Sequence, residues 1–218
     1  RKEVHQIIKD RRVTINGEVI TKKDIHINID IDIVAVDGQT VSTTQLYYVK
    51  FHKPKGYVTA VEDSTHPVVM DLLPPEYLKM GVVPVGRLDK DTEGLLLLTN
   101  DGVWGHSIIN GNKHVPKVYY VEFDGELSEE GIQRIKEGIV LGDKTQCKPA
   151  LIELLSDHSA TITIEEGKYH QVKRMIGAAG GSVTYLKRLT IGHVDLSGIE
   201  EVGSVMDLTI DEVEGFKK

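Results

Sequence analysis

Three acidic side chains, Asp89, Asp91 and Glu93, crowd into the nine residues Gly86-Arg87-Leu88-Asp89-Lys90-Asp91-Thr92-Glu93-Gly94, and the chain runs from there straight into Leu95-Leu96-Leu97-Leu98-Thr99. Four consecutive leucines bounded by glycine read as a strand buried on both faces, so the polar residues before them stand on a rigid support. Catalytic carboxylates are found in such places. Two other readings of the same residues stay open: a solvated acidic turn, because loops are usually polar, and a carboxylate pair, Asp89 with Asp91 or Glu93, that hydrolyses a glycosidic bond. Other chemistries find no support. The nine histidines include no His-x-x-x-His and no cysteine pair beside them, so no zinc site is expected. Lys53-Pro54-Lys55-Gly56 lacks the order of a phosphate-binding P-loop, and no Gly-x-Ser-x-Gly elbow occurs. Cys147, the single cysteine, reads as a structural thiol.

The elements that must carry this loop are legible in part. Val4, Ile7 and Ile8 fall at helical spacing, and Arg12-Val13-Thr14-Ile15 then meets the hairpin signal Asn16-Gly17. Every odd position from Ile25 to Ala35 is apolar, which predicts a long half-buried strand with His26, Asn28, Asp30 and Asp32 on its wet face. The polar run Asp37 to Thr44 reads as a linker, with its core at residues 41–45. Strands are expected at Leu46 to Phe51, Gly56 to Val61, Leu95 to Thr99, Val118 to Phe123, Ala150 to Leu155 and Ala160 to Glu165. Helices are expected at Val103 to Ile109, Glu129 to Glu137 and His170 to Ala179. This irregular order predicts an α+β domain over residues 46–218 with a mixed, largely antiparallel sheet, preceded by a small unit over residues 1–40.

At 218 residues the chain has room for both. No apolar run approaches the roughly 20 residues of a membrane span and the start has no signal-peptide core, so a cytoplasmic protein is expected. The net charge of −7 argues against a nucleic-acid partner, but its distribution does not. Between Arg1 and Lys23 seven basic residues (Arg1, Lys2, Lys9, Arg11, Arg12, Lys22, Lys23) face three acids, whereas Asp195 to Gly215 holds seven acids and no Lys or Arg. One face suited to phosphate and another repelled by it is the pattern of a nucleic-acid-binding protein.

Four segments together resemble the RsuA/RluB/RluE/RluF family of rRNA pseudouridine synthases. They are Gly-Arg-Leu-Asp with Thr92 and Gly94 to Gly102; Lys53-Pro54-Lys55-Gly56-Tyr57-Val58; Lys117-Val118-Tyr119; and Glu166-Gly167-Lys168-Tyr169-His170-Gln171-Val172-Lys173-Arg174-Met175. They stand in the family's order over roughly residues 46 to 210. The last segment and Lys148-Pro149-Ala150 look closest to the RsuA branch, which modifies 16S rRNA. The basic helix with Val13-Thr14-Ile15-Asn16-Gly17 behind it resembles the latter part of a small RNA-binding domain of the ribosomal protein S-four type, whose first helix would lie before Arg1.

The resemblance implies a pseudouridine synthase fold and a cofactor-free isomerase that acts on ribosomal RNA as a monomer. Asp89 is then the catalytic carboxylate, as nucleophile at the anomeric carbon or as base at the ribose 2′ carbon. Tyr119 packs on the target uracil and takes a proton from the new attachment carbon, and Lys173 pairs with Asp89. Because the base must leave its stack, Arg87 is expected to fill the gap. Lys53, Lys55, Lys117, His170, Gln171 and Arg174, with Arg1, Lys2, Arg11 and Arg12 of the first unit, are expected RNA contacts. The competing expectations are a synthase of 23S rRNA and a non-catalytic rRNA-binding assembly factor.

Overall fold

The structure, a computed structural model, describes residues 2–28, 31–41, 45–110 and 113–217. Its contacts divide the chain into two compact units, Arg1–Gln45 and Leu46–Lys218. In the first, helix α1 (Lys2–Lys9) leads into a small sheet of β1 (Val13–Ile15), β2 (Glu18–Val19), β3 (Val34–Val36) and β4 (Gln39–Thr40), in spatial order β2-β1-β3-β4. Asn16 and Gly17 take φ of 51° and 84°, the turn that matches the twist of paired strands. Asp37 and Gly38 repeat it at 52° and 79°, so residues 37–40 form a second hairpin where their polar composition reads as linker. Arg12 Nε donates to both carboxylate oxygens of that turn's Asp37, at 2.9 and 3.1 Å.

The strand expected from Ile25 to Ala35 is corrected. Only its end is β-structure, and Ile25, Ile27, Ile31 and Ile33 are exposed. Asp32 accepts from the Asn28 backbone and the Asn16 side chain, and the amides of Ile31 and Asp32 both donate to the Asn28 carbonyl. Such short-range bonds from Asn and Asp compete with a strand ladder. Ile29 and Asp30 of the expected strand, residues 42–44 of the expected linker, Arg1 and the side chain of Lys2 lie outside the described residues.

The second unit runs β5 (Tyr48–Lys53), α2 (Pro75–Lys79), β6 (Val83–Val85), β7 (Glu93–Thr99), α3 (Gly102–Ile109), β8 (Lys117–Gly125), α4 (Glu129–Glu137), β9 (Leu151–Ser156), β10 (Ser159–Ile164), α5 (Gln171–Ala178), β11 (Gly181–Ile191), β12 (Val205–Asp207) and α6 (Ile210–Glu214). Its strands form one sheet in the order β12-β5-β7-β11-β8-β10-β9, with β6 also on β7. Among the described strands of this sheet only the β7–β11 pairing is parallel. The mixed, largely antiparallel sheet is thus as the sequence indicates. The expected strand at Gly56 to Val61 does not form; beyond the single pairing of Val58 with Val68, this segment folds back on the loop before β7.

Strand β7 is the centre of the second unit. Successive side chains of a strand point to opposite faces, so its four wholly buried leucines divide between two cores. Leu96 and Leu98 pack with Val172, Met175 and Ile176 of α5 and Ile135 of α4, and Leu95 and Leu97 with Trp104 and Ile108 of α3 and Val213 of α6. Three of the flanking helices, α3, α4 and α6, start on side-chain caps: Asp101 accepts from Val103 and Trp104, Ser128 from Gly131, and Thr209 from Glu212.

At Gly94 the backbone of β11 comes so close that a Cβ would lie 2.2 Å from the Arg188 carbonyl oxygen, and φ is +115°. No other residue type meets both conditions. Gly94→Ala is expected to lower the unfolding free energy by about 2–4 kcal/mol in urea denaturation; a loss below about 0.5 kcal/mol, the size of an ordinary surface change, would show that β11 is free to move away.

Candidate active site

The loop between β6 and β7 is fixed through its backbone. Leu88 is buried, its amide donates to Thr59 Oγ1 at 3.1 Å, and its carbonyl accepts from the same hydroxyl at 2.8 Å. The Thr92 amide closes a turn on the Asp89 carbonyl at 3.0 Å. Lys53, wholly buried at the end of β5, donates from Nζ to the carbonyls of Pro54, Asp89 and Thr92 at 3.0, 3.1 and 2.8 Å, and more weakly to Lys90 at 3.4 Å. Gly56, at φ +94°, adds a bond from its own amide to the Lys90 carbonyl. Burial pushes the Lys53 ammonium down to about 8 against the pull of Asp91 and Asp89.

With its backbone so held, Asp89 presents its carboxylate to α5. Lys173 Nζ lies 3.3 Å from Oδ2 and His170 Nε2 lies 3.4 Å from Oδ1. His170 precedes α5 in the left-handed region, φ 47° and ψ 37°, a conformation costly for a residue with a Cβ and typical of functional positions. Its ring stacks on Tyr169, with centroids 3.8 Å apart. Lys173 also bonds Asp91, and although burial pushes the Asp91 carboxyl up, that bond and charge outweigh it and hold the group below its usual range. Arg174, the competing cation on the same helix, turns instead to Asp143 and the Tyr169 carbonyl.

Asp89 and His170 line a cavity of about 660 Å³, within the range of small-molecule and nucleotide pockets, together with Arg87, Lys117, Tyr119 and Arg188. Tyr119 and Lys117 stand two apart on β8 and reach the same cavity, while Tyr120 bonds Glu122 on the other side. Lys117 Nζ donates to the Val115 carbonyl, and burial, with the charge of Arg188 added, pushes it down to about 8. Arg87 is exposed at the rim.

The sequence model of the family described as RNA pseudouridylate synthase matches residues 47–178, which span Asp89, Tyr119, His170 and Lys173. The chain belongs to this family. It is 41% identical to the uncharacterized RNA pseudouridine synthase YtzG of Bacillus subtilis (strain 168) over 98% of this chain and 91% of that one. It is 35% identical to the ribosomal small subunit pseudouridine synthase A of Escherichia coli (strain K12), with 94% and 89% of the two chains covered. Among solved structures, a crystal structure of a pseudouridylate synthase superposes with a TM-score of 0.73 at 34% identity, covering 99% of this chain and 93% of that one.

In this pseudouridylate synthase two of the expected RNA contacts, Lys53 and Gln171, are buried, and Gln171 lines the cavity. Lys53 is buried under the loop and its ammonium is taken up by the loop's carbonyls. Gln171 is 4% exposed; it donates to Glu166 at 2.7 Å and accepts from the Lys168 amide, which shapes the entry to α5. Lys55 remains exposed, its ammonium 4.2 Å above the Tyr185 ring. Glu93, read as solvated or loop-shaping, is an anchor at the head of β7, where it meets His52, Tyr185 and Lys187. Thr59 and Arg188 escaped the sequence reading. A signal for the latter existed in the β-rich run Val183-Thr184-Tyr185-Leu186 between Gly180-Gly181 and Gly192, which marks β11.

If the Lys53 ammonium is what holds the loop, Lys53→Met should speed amide hydrogen exchange across residues 89–93 by at least about tenfold, the effect of losing about 1.4 kcal/mol of local stability. Lys55→Met should leave those amides unchanged. Equal protection in both variants would show that Thr59 and Gly56 suffice.

Proposed function

We propose that this chain converts uridine to pseudouridine in ribosomal RNA, in the small subunit's 16S rRNA, with Asp89 as the catalytic carboxylate. The observation that carries the reading is the placement of one carboxylate, held by Lys173 of α5 and by His170 just before that helix, in the wall of a cavity whose other charged lining groups include Arg87, Lys117 and Arg188. The small-subunit assignment rests on similarity over nearly the whole chain to proteins named for that substrate.

The reaction breaks the bond from ribose C1′ to uracil N1, turns the ring and rejoins C1′ to C5. The bond breaks heterolytically, so the sugar becomes electron-poor and the departing base electron-rich. Asp89 meets the sugar, as a nucleophile at C1′ or as a base at C2′, and Lys173 and His170 direct its oxygens. Tyr119 lies against the base and takes the C5 proton. Arg87 occupies the stack that the uridine has left, and Lys117 contacts the target's phosphate. Arg1, Lys2, Arg11 and Arg12 extend RNA contact onto the first unit, and the enzyme works as a monomer in the cytoplasm, where rRNA is made.

Asp89→Asn keeps the shape of the loop and removes the charge. It should lower pseudouridine formation on 16S rRNA by about four orders of magnitude or more while RNA affinity stays within about twofold; normal turnover, or release of free uracil by the wild type, would overturn the assignment. Lys117 is charged below about 8 and neutral above it, so RNA affinity should fall as pH rises through that value. Lys117→Met should lose that pH step and lower the salt slope of binding by about one, whereas an unchanged slope would remove Lys117 from the phosphate contacts.

A further inference from the structure

Arg188 is directly opposite Tyr119 in the pairing of β11 with β8, and the register slips just after it, a bulge of the kind that re-aims side chains beside active sites. The parallel pairing of β11 with β7 ends at Arg188 and Gly94, and beyond it Arg188 Nε donates to the freed carbonyl of Leu95 at 2.7 Å. Nη1 donates to the Tyr119 hydroxyl oxygen at 3.5 Å, and Nη2 is buried with no hydrogen-bond partner among the described residues. The residue is 4% exposed.

A guanidinium keeps its charge at any pH a protein meets, and a buried charge without a counter-ion is strongly unfavourable. No carboxylate stands within ion-pair distance of Arg188 among the described residues, and its charge is felt by two further buried or half-buried cations, Lys53 and Lys117. The other charged groups lining the cavity are Arg87, Asp89, Lys90, Lys168 and His170. Of the groups that touch the guanidinium, only the Tyr119 hydroxyl is able to become an anion.

We infer that Arg188 is a positioning residue that holds the Tyr119 oxygen toward the cavity and supplies the counter-charge for its phenoxide, the form that removes the C5 proton. This rests on the reading of Tyr119 given above. After C1′ has joined C5, that carbon carries both the sugar and a hydrogen. The hydrogen leaves as a proton to the phenoxide oxygen, the C–H pair restores the C5–C6 double bond, and the C6–N1 pair moves to N1, which takes a proton from water. The phenol proton lost earlier went to solvent, so no oxidant or co-reactant enters.

The test is single-turnover kinetics on RNA carrying hydrogen or deuterium at C5 of the target uridine. Arg188→Met should slow pseudouridine formation by about tenfold or more, a share of what a general base contributes, with RNA affinity within about twofold and an isotope effect above the wild-type value. Tyr119→Phe should raise the isotope effect too, and adding Arg188→Met to it should cost less than about threefold more, because the two act as one unit. Arg188→Lys keeps a cation and should fall between wild type and Arg188→Met; if the methionine variant does not fold, this variant carries the same comparison. An isotope effect at the wild-type level in the slow Arg188 variant, or rate losses that multiply in the double variant, overturns the inference. An unchanged isotope effect in Tyr119→Phe overturns the role of Tyr119 itself, so the two failures are distinct.

Discussion

Where the carbonyls of Pro54, Asp89, Lys90 and Thr92 converge on one buried ammonium, the conformation of the loop before β7 stops depending on its own side chains. Lys53 is an unusual choice for a buried position, since an uncompensated charge there is unfavourable. Carbonyl dipoles replace the water it gives up, and the carboxylates of Asp91 and Asp89 pull in the same direction. The benefit appears at Asp89. Because main-chain groups hold the loop, its carboxylate faces Lys173 of α5 and His170 just before that helix. A loop held by its own aspartates would have occupied the oxygens that the chemistry requires.

The same separation governs the charge of the cavity. The chain as a whole is acidic at −7, yet cations predominate around Asp89, with Arg87, Lys117 and Arg188 in the wall. They come from separate elements, Arg87 from the loop before β7, Arg188 from β11 and Lys117 from β8 beyond it, so the positive field is a product of the sheet order and not of any basic run in the sequence. The acids that produce the net charge lie elsewhere, many of them between Asp195 and Gly215. For a polyanionic substrate local potential decides encounter and net charge does not.

What was legible from residues alone follows a physical line. The leucine run announced burial on both faces because that property is local, and β7 has it. Helices over 102–109, 129–137 and 171–178 lie within a residue of their expected bounds, and the Asn16-Gly17 turn was visible through the conformations those residues permit. Non-local facts were not legible. Nothing in Lys53-Pro54-Lys55-Gly56 tells that the first lysine bends back under a loop more than thirty residues away while the second stays outside. Gln171 sits in a motif full of polar groups but is buried by Glu166 and Met175. The isoleucine alternation from Ile25 misled because periodicity reports which face would be apolar and not whether a partner exists to cover it.

Gly94 joins these levels. Its missing Cβ lets β11 approach β7, and its positive φ starts the departure that leaves the Leu95 carbonyl for Arg188. One residue thus belongs to the strand between the two cores and also determines where a buried guanidinium meets Tyr119. The leucines that follow it cannot shift to accommodate a change, because each is wholly buried in close-packed surroundings. The stability of the second unit and the geometry of its cavity therefore share a structural origin, and a substitution near the start of β7 perturbs both.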